Sequence, residues 1–148
     1  MRNRILYLVT MYMALAVIMM LQKPVFMLAN NPGGISLSDY LDVIIHGAQL
    51  DMSVAGYFMS IPIIWVLVTV LFPKLPVRVC IAWWYVIIAI ATATAFVADS
   101  ALYSFWQFKL DASVLFYLQS PKDAMASTPL SYIIFKIVEI IIYTTLIA

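Results

Sequence analysis

The sequence predicts an all-α fold, a polytopic membrane helix bundle with four transmembrane spans and short interfacial helices, on three observations. Of 148 residues, 66% are hydrophobic and 10% charged, with a mean hydropathy of +1.04. Soluble domains carry about 25% charge, so this chain has too few charges to cover a core, and lipid has to solvate much of its exterior. Four long apolar runs are separated by short polar segments. Charges avoid three of those runs and gather at their ends.

The first run, Ile5 to Leu21, lies behind Arg2 and Arg4 and has Thr10 as its polar member. Its 17 residues exceed the apolar core of a signal peptide, and Met27 and Ala29 form no clean small-x-small cleavage site, so the run reads as an anchor. Extended past Lys23 and Pro24, it spans residues 5–27, enough at about 1.5 Å per residue to cross a core of about 30 Å. The segment from Asn30 to Gly34 then breaks the helix, because Pro lacks a donor and Gly favours turns.

Ser36 and Asp39 form a capping box ahead of Leu37, Leu41, Ile44 and Ala48 on one helical face, a pattern that predicts a short interfacial helix. Span two covers 53–72, with Pro62 inside it, where a neighbouring helix is needed to satisfy the carbonyl that proline frees. Span three covers 79–98, between Arg78 and Asp99, with Trp83 and Trp84 near one end. Residues 99–129 interleave aromatics with charges in the manner of a headgroup layer, and Ser120, Pro121 and Asp123 suit the start of another short helix. Span four, 130–148, carries Lys136 and Glu139 and ends without a polar anchor, which reads as a truncation.

With four spans, the N-terminus and the 73–78 turn share a side that holds Arg2, Arg4, Lys74 and Arg78 and no acid. The positive-inside rule makes that side cytoplasmic. The longer loops then lie outside, with Asp39, Asp42, Asp51, Asp99, Asp111 and Asp123 against Lys23, Lys109 and Lys122. A formal net charge of +1 gives no basic surface for nucleic acid. Cys80 is the one cysteine and His46 the one histidine, so neither a disulfide nor a Cys/His metal cluster is expected.

No nucleophile elbow or phosphate-binding glycine loop is present, so the chain is expected to be non-catalytic as it stands. Its candidate residues are of two kinds. Asp51, Asp99, Tyr103, Trp106 and Asp111 sit at the outer ends of spans or beyond them and suit an outer-face contact or a lipid headgroup, although end-marking carboxylates and an aromatic belt have the same look. Lys136 and Glu139 are three apart inside span four, so they share a face and can pair, either structurally or as a functional intramembrane site.

The run His46, Gly47, Leu50, Asp51 and Ser53, followed by the apolar stretch to Pro73, resembles the approach to the second span in bacterial lipoteichoic acid synthase-like proteins. A second segment is similar to their sulfatase-like relatives: Asp99, Tyr103, Phe105, Trp106, Phe108 and Asp111, then Tyr117, Leu118, Pro121, Lys122, Ala124, Ala126 and Ser127. The resemblance covers residues 46–127. It implies a five-span membrane domain followed by an extracytoplasmic domain of the alkaline phosphatase superfamily. That domain would hold a divalent metal, commonly manganese, and a threonine nucleophile that takes phosphoglycerol from a lipid donor.

By this resemblance, residues 1–148 are an N-terminal membrane anchor in the bacterial cytoplasmic membrane, its partners being membrane lipids and the missing C-terminal catalytic domain. No catalytic residue or cofactor falls within these residues. The competing expectation is a stand-alone small membrane protein, a transporter-like subunit or assembly scaffold that uses Lys136 and Glu139.

Overall fold

The computed structural model describes residues 2–30, 33–107 and 129–148, and every regular element among them is an α-helix. These are α1 (Arg2–Asn30), α2 (Leu37–Leu71), α3 (Val77–Trp106) and α4 (Leu130–Ile147). Each is long and apolar enough to cross a membrane, which makes the protein an all-α, multi-pass membrane protein. A helix is the natural state for such segments, because in hydrocarbon each backbone N–H and C=O must be satisfied within the segment itself. The second interfacial helix expected at Ser120, Pro121 and Asp123 lies outside the described residues.

The helix ends follow local chemistry. α1 runs through Pro24 to Asn30, and the chain turns with Gly34 at φ 91°, a value open to glycine because it has no Cβ. Asp39 in the first turn of α2 accepts the Ser36 backbone N–H at 2.9 Å and places a negative charge at the positive helix end. The α2–α3 turn is closed by the Leu75 N–H donating to the Phe72 carbonyl at 3.2 Å.

The sequence separated an interfacial helix at its Leu37–Ala48 face from span two at 53–72, whereas α2 is one continuous helix of 35 residues. At about 1.5 Å per residue it measures roughly 50 Å, well beyond a bilayer core of about 30 Å. The reason lies in its buried stripe. Asp51, Ala55, Met59, Pro62 and Thr69 are its buried residues, and stepping back by helical spacing from Asp51 reaches Ala48, Ile44 and Leu41. The face assigned to the short helix is the same face continued, and no breaker other than Gly47 falls between Leu41 and Asp51.

By its contacts the chain divides into two compact units, residues 1–88 and 89–148. In the first, Leu15 and Ala16 of α1 pack with Ala55 and Met59 of α2 and Ile88 of α3. Ala16 and Ala55, 1% and 0% exposed, let two backbones approach closely, the usual device for helices that gain no hydrophobic drive from leaving lipid. Pro62 shows the other device. It removes the N–H that would bond the Phe58 carbonyl, and the Trp84 indole N–H of α3 donates to that carbonyl at 2.9 Å. Trp84 is also held edge-on to Trp65, ring centroids 6.3 Å apart at 84°. In the second unit, Phe96 of α3 meets Tyr143 of α4 at a centroid distance of 5.0 Å.

Trp84→Phe removes the donor together with one ring of the indole, so it is expected to cost about 1–2 kcal/mol for the Phe58 carbonyl that loses its partner, in addition to the packing loss. In a Pro62→Ala background the restored helical N–H takes over that carbonyl, and the cost of Trp84→Phe should fall to the packing loss alone. Reversible unfolding in mixed micelles, followed by circular dichroism, measures both.

Candidate functional site

Two ion pairs among the described residues mark where charge is held. Lys23 of α1 donates to the Asp51 carboxylate of α2 at 2.5 Å. Both side chains are largely enclosed, 24% and 10% exposed. The sequence placed Asp51 at an outer end as a headgroup or contact candidate and Lys23 among the loop charges; the structure joins them to each other across α1 and α2.

The pairing follows from register. α1 turns Leu8, Tyr12, Leu15, Met19, Lys23 and Phe26 inward, either buried or half-buried, so Lys23 falls on the helix face that meets α2. Asp51 falls on the buried stripe of α2. Gly47 completes the arrangement one helical turn before Asp51. A Cβ added at Gly47 would collide with the Nζ and Cε of Lys23, so the lysine stem lies across the space that a side chain would fill. Glycine here costs about 1 kcal/mol of helix propensity, and the vacancy lets the ammonium reach the buried carboxylate. Close by, the Tyr12 hydroxyl donates to the Met52 carbonyl at 3.2 Å, a further polar tie between α1 and α2.

Lys136 donates to Glu139 at 2.8 Å along the same face of α4, with side chains 21% and 25% exposed. The Lys136 ammonium also stands 5.6 Å and 5.8 Å from the ring centroids of Tyr132 and Phe135, within cation–π range. The pair is thus closed within one helix, and its charges are neutralised locally.

Asp99 and Tyr103 lie one turn apart on α3 in a half-buried position, each with a polar or ring partner. Trp106 is the last residue of α3, and Asp111 lies outside the described residues. His46, exposed on α2, has its Nδ1 2.8 Å from the Asp42 carbonyl one turn earlier. No group of three or more His, Cys, Asp or Glu residues that could hold a metal ion occurs among the described residues.

Comparison of the chain with family models, with curated proteins and with solved structures gave no match.

What the Lys23–Asp51 pair can do is defined by its surroundings. It holds α1 to α2 through a charge-assisted hydrogen bond between opposite charges in a weakly screening environment. Removing one partner leaves a charge enclosed without compensation, so Lys23→Met or Asp51→Leu alone is expected to cost on the order of 2–3 kcal/mol, somewhat less than for a fully dry pair. The double variant should recover most of that loss. Gly47→Ala discriminates further: in a Lys23→Ala chain it should stabilise by about 1 kcal/mol through helix propensity, and in the native chain by less, because the added methyl pushes the end of the Lys23 side chain from its place beside Asp51. Unfolding midpoints of the six variants, the Lys23→Ala reference included, provide the check.

Proposed function

We propose that the chain is the membrane anchor of a bacterial lipoteichoic acid synthase-like or sulfatase-like enzyme, non-catalytic in itself. On this reading it holds an extracytoplasmic catalytic domain against the outer face of the cytoplasmic membrane. The observation that carries the reading is that Gly47 and Asp51, two residues of the first resembling motif, occupy one interlocking point with Lys23. A motif whose glycine makes room for the partner of its aspartate has a physical reason to be a unit, and that reason is the fixing of α1 to α2.

The orientation proposed with it rests on charge. Arg4 reaches Thr69 near the end of α2, so the start of α1 and the α2–α3 turn lie at one end of this unit, the end that carries Arg4, Lys74 and Arg78. A cytoplasmic N-terminus satisfies the positive-inside rule, and Asp39, Asp42 and Asp51, toward the other end of α2, then lie toward the outer leaflet. In this arrangement the metal, manganese by the resemblance, and the nucleophile belong to the extracytoplasmic domain. Asp99, Tyr103, Trp106 and Asp111 would form the surface that meets that domain or a lipid headgroup.

The direct test is the coding frame beyond Ala148. A fifth apolar span followed by a soluble domain rich in metal-ligating acids and histidines supports the anchor; an undisturbed stop codon at that point overturns it in favour of a self-sufficient scaffold or transporter-like subunit. In a full-length parent, Asp99→Asn and Trp106→Ala are expected to lower transferase or esterase turnover while leaving membrane insertion unchanged. Turnover equal to the parent at equal expression would count against the contact surface.

A further inference from the structure

A cavity of about 740 Å³ opens at the basic end of the 1–88 unit, lined by Arg4 and Tyr7 of α1, Val66 and Thr69 of α2, Arg78 and Ile81 of α3, and residues of the α2–α3 turn. Its polar and apolar features are arranged in an orderly way. The buried Thr69 hydroxyl donates to the Val66 carbonyl at 2.6 Å and accepts from Arg4 Nη1 at 2.7 Å. Arg4 is therefore held by one of its N–H groups, and a guanidinium has five. Arg78 stands on the second residue of α3, where the Val77, Val79 and Cys80 N–H groups already donate to the carbonyls of Leu75 and Pro76, so the Arg78 guanidinium is the donor group this helix start offers. No acid is among the described residues that line the cavity, and the described acids of this unit, Asp39, Asp42 and Asp51, belong to the first half of α2.

Two guanidinium groups set around one cavity, with no acid among its described lining residues, favour an anion, and planar N–H forks suit phosphate oxygens. The remaining wall, Tyr7, Val66, Leu75 and Ile81, is apolar or amphipathic. The helix faces at the same end expose Ile5, Leu67, Val70 and Leu71. A ligand with a charged head and hydrocarbon tails meets both demands, whereas a small soluble anion meets the first alone. Basic pockets between spanning helices are a recurrent way to take anionic headgroups.

We propose that this cavity binds the phosphate of an anionic phospholipid between Arg4 and Arg78, its acyl chains running along the apolar faces of α1 and α2. The site is at the opposite end of α1 from the Lys23–Asp51 pair and stands independently of the anchor reading. Thr69 is its positioning residue, since it orients Arg4 through a bond that leaves the other guanidinium donors available.

The test is native mass spectrometry of the purified 148-residue chain in neutral detergent, titrated with dioleoyl phosphatidylglycerol or dioleoyl phosphatidylcholine. The unaltered chain should retain the anionic lipid in preference to the zwitterionic one. Arg78→Gln and, independently, Arg4→Gln should each weaken that retention about fivefold, the factor expected for one basic side chain at an anionic headgroup. Arg78→Lys should keep most of it. Arg78 is exposed, so its replacement leaves no buried gap, and unchanged helical circular dichroism identifies folded variants. Equal retention of the two lipids, or both Gln variants behaving as the unaltered chain, overturns the site. Displacement of phosphatidylglycerol by an equal concentration of inorganic phosphate overturns the lipid assignment in favour of a free anion.

Discussion

Nothing in α1 or α2 taken singly requires the two helices to meet, since each closes its own hydrogen-bond ladder and lipid solvates leucine as well as leucine does. What brings them together is a charge that neither can leave to hydrocarbon. Lys23 and Asp51 are each costly alone on an enclosed helix face and acceptable as a pair. The pair also fixes register. With Lys23 against Asp51 at one end and Arg4 against Thr69 at the other, α1 lies antiparallel to α2, and Leu15 and Ala16 come to rest beside Ala55 and Met59. A slip by one turn would leave the lysine and the aspartate unpaired together, so the ionic contact selects the alignment that the small residues then pack.

α3 joins through a different kind of need. Pro62 leaves the Phe58 carbonyl without its helical donor, and the indole of Trp84 supplies one. A defect in one helix thereby specifies its neighbour, which plain apolar surfaces do poorly. Both contacts obey one rule: in a chain that is 66% hydrophobic, the few polar groups that must find a partner decide which faces meet, and the many apolar side chains fill the space around them.

Charge is unevenly distributed along the helices of this framework. Basic residues occupy the end where α1 begins and α2 turns into α3, and three carboxylates occupy the first half of α2. The proposed lipid site uses the first end, where guanidinium groups have donors left over. The proposed anchoring role uses the second, where Gly47, Lys23 and Asp51 fix two helices to each other. Lys136 and Glu139, closed on each other and flanked by Tyr132 and Phe135, are neutralised within α4 itself. Such a pair suits a helix that has to carry charge at membrane depth with little help from neighbours.

The all-α class and the four long apolar helices follow from composition and run length alone, because a bilayer leaves a chain of this hydropathy almost no other backbone solution. The capping pair Ser36 and Asp39 and the need of Pro62 for an outside donor are equally local, and both were legible in the sequence. The continuity of α2 was not read from the sequence, although the spacing from Leu41 through Ile44, Ala48 and Asp51 to Ala55 carries it, because a charge in that stripe reads as a boundary until its partner is known. The partner itself was not legible. Lys23 and Asp51 are 28 residues apart, and each alone looks like a residue at the end of a span. Only the tertiary structure, by crossing α1 over the vacancy at Gly47, turns two apparent end-markers into one enclosed pair, because a sequence shows which groups need partners and packing decides which ones they reach.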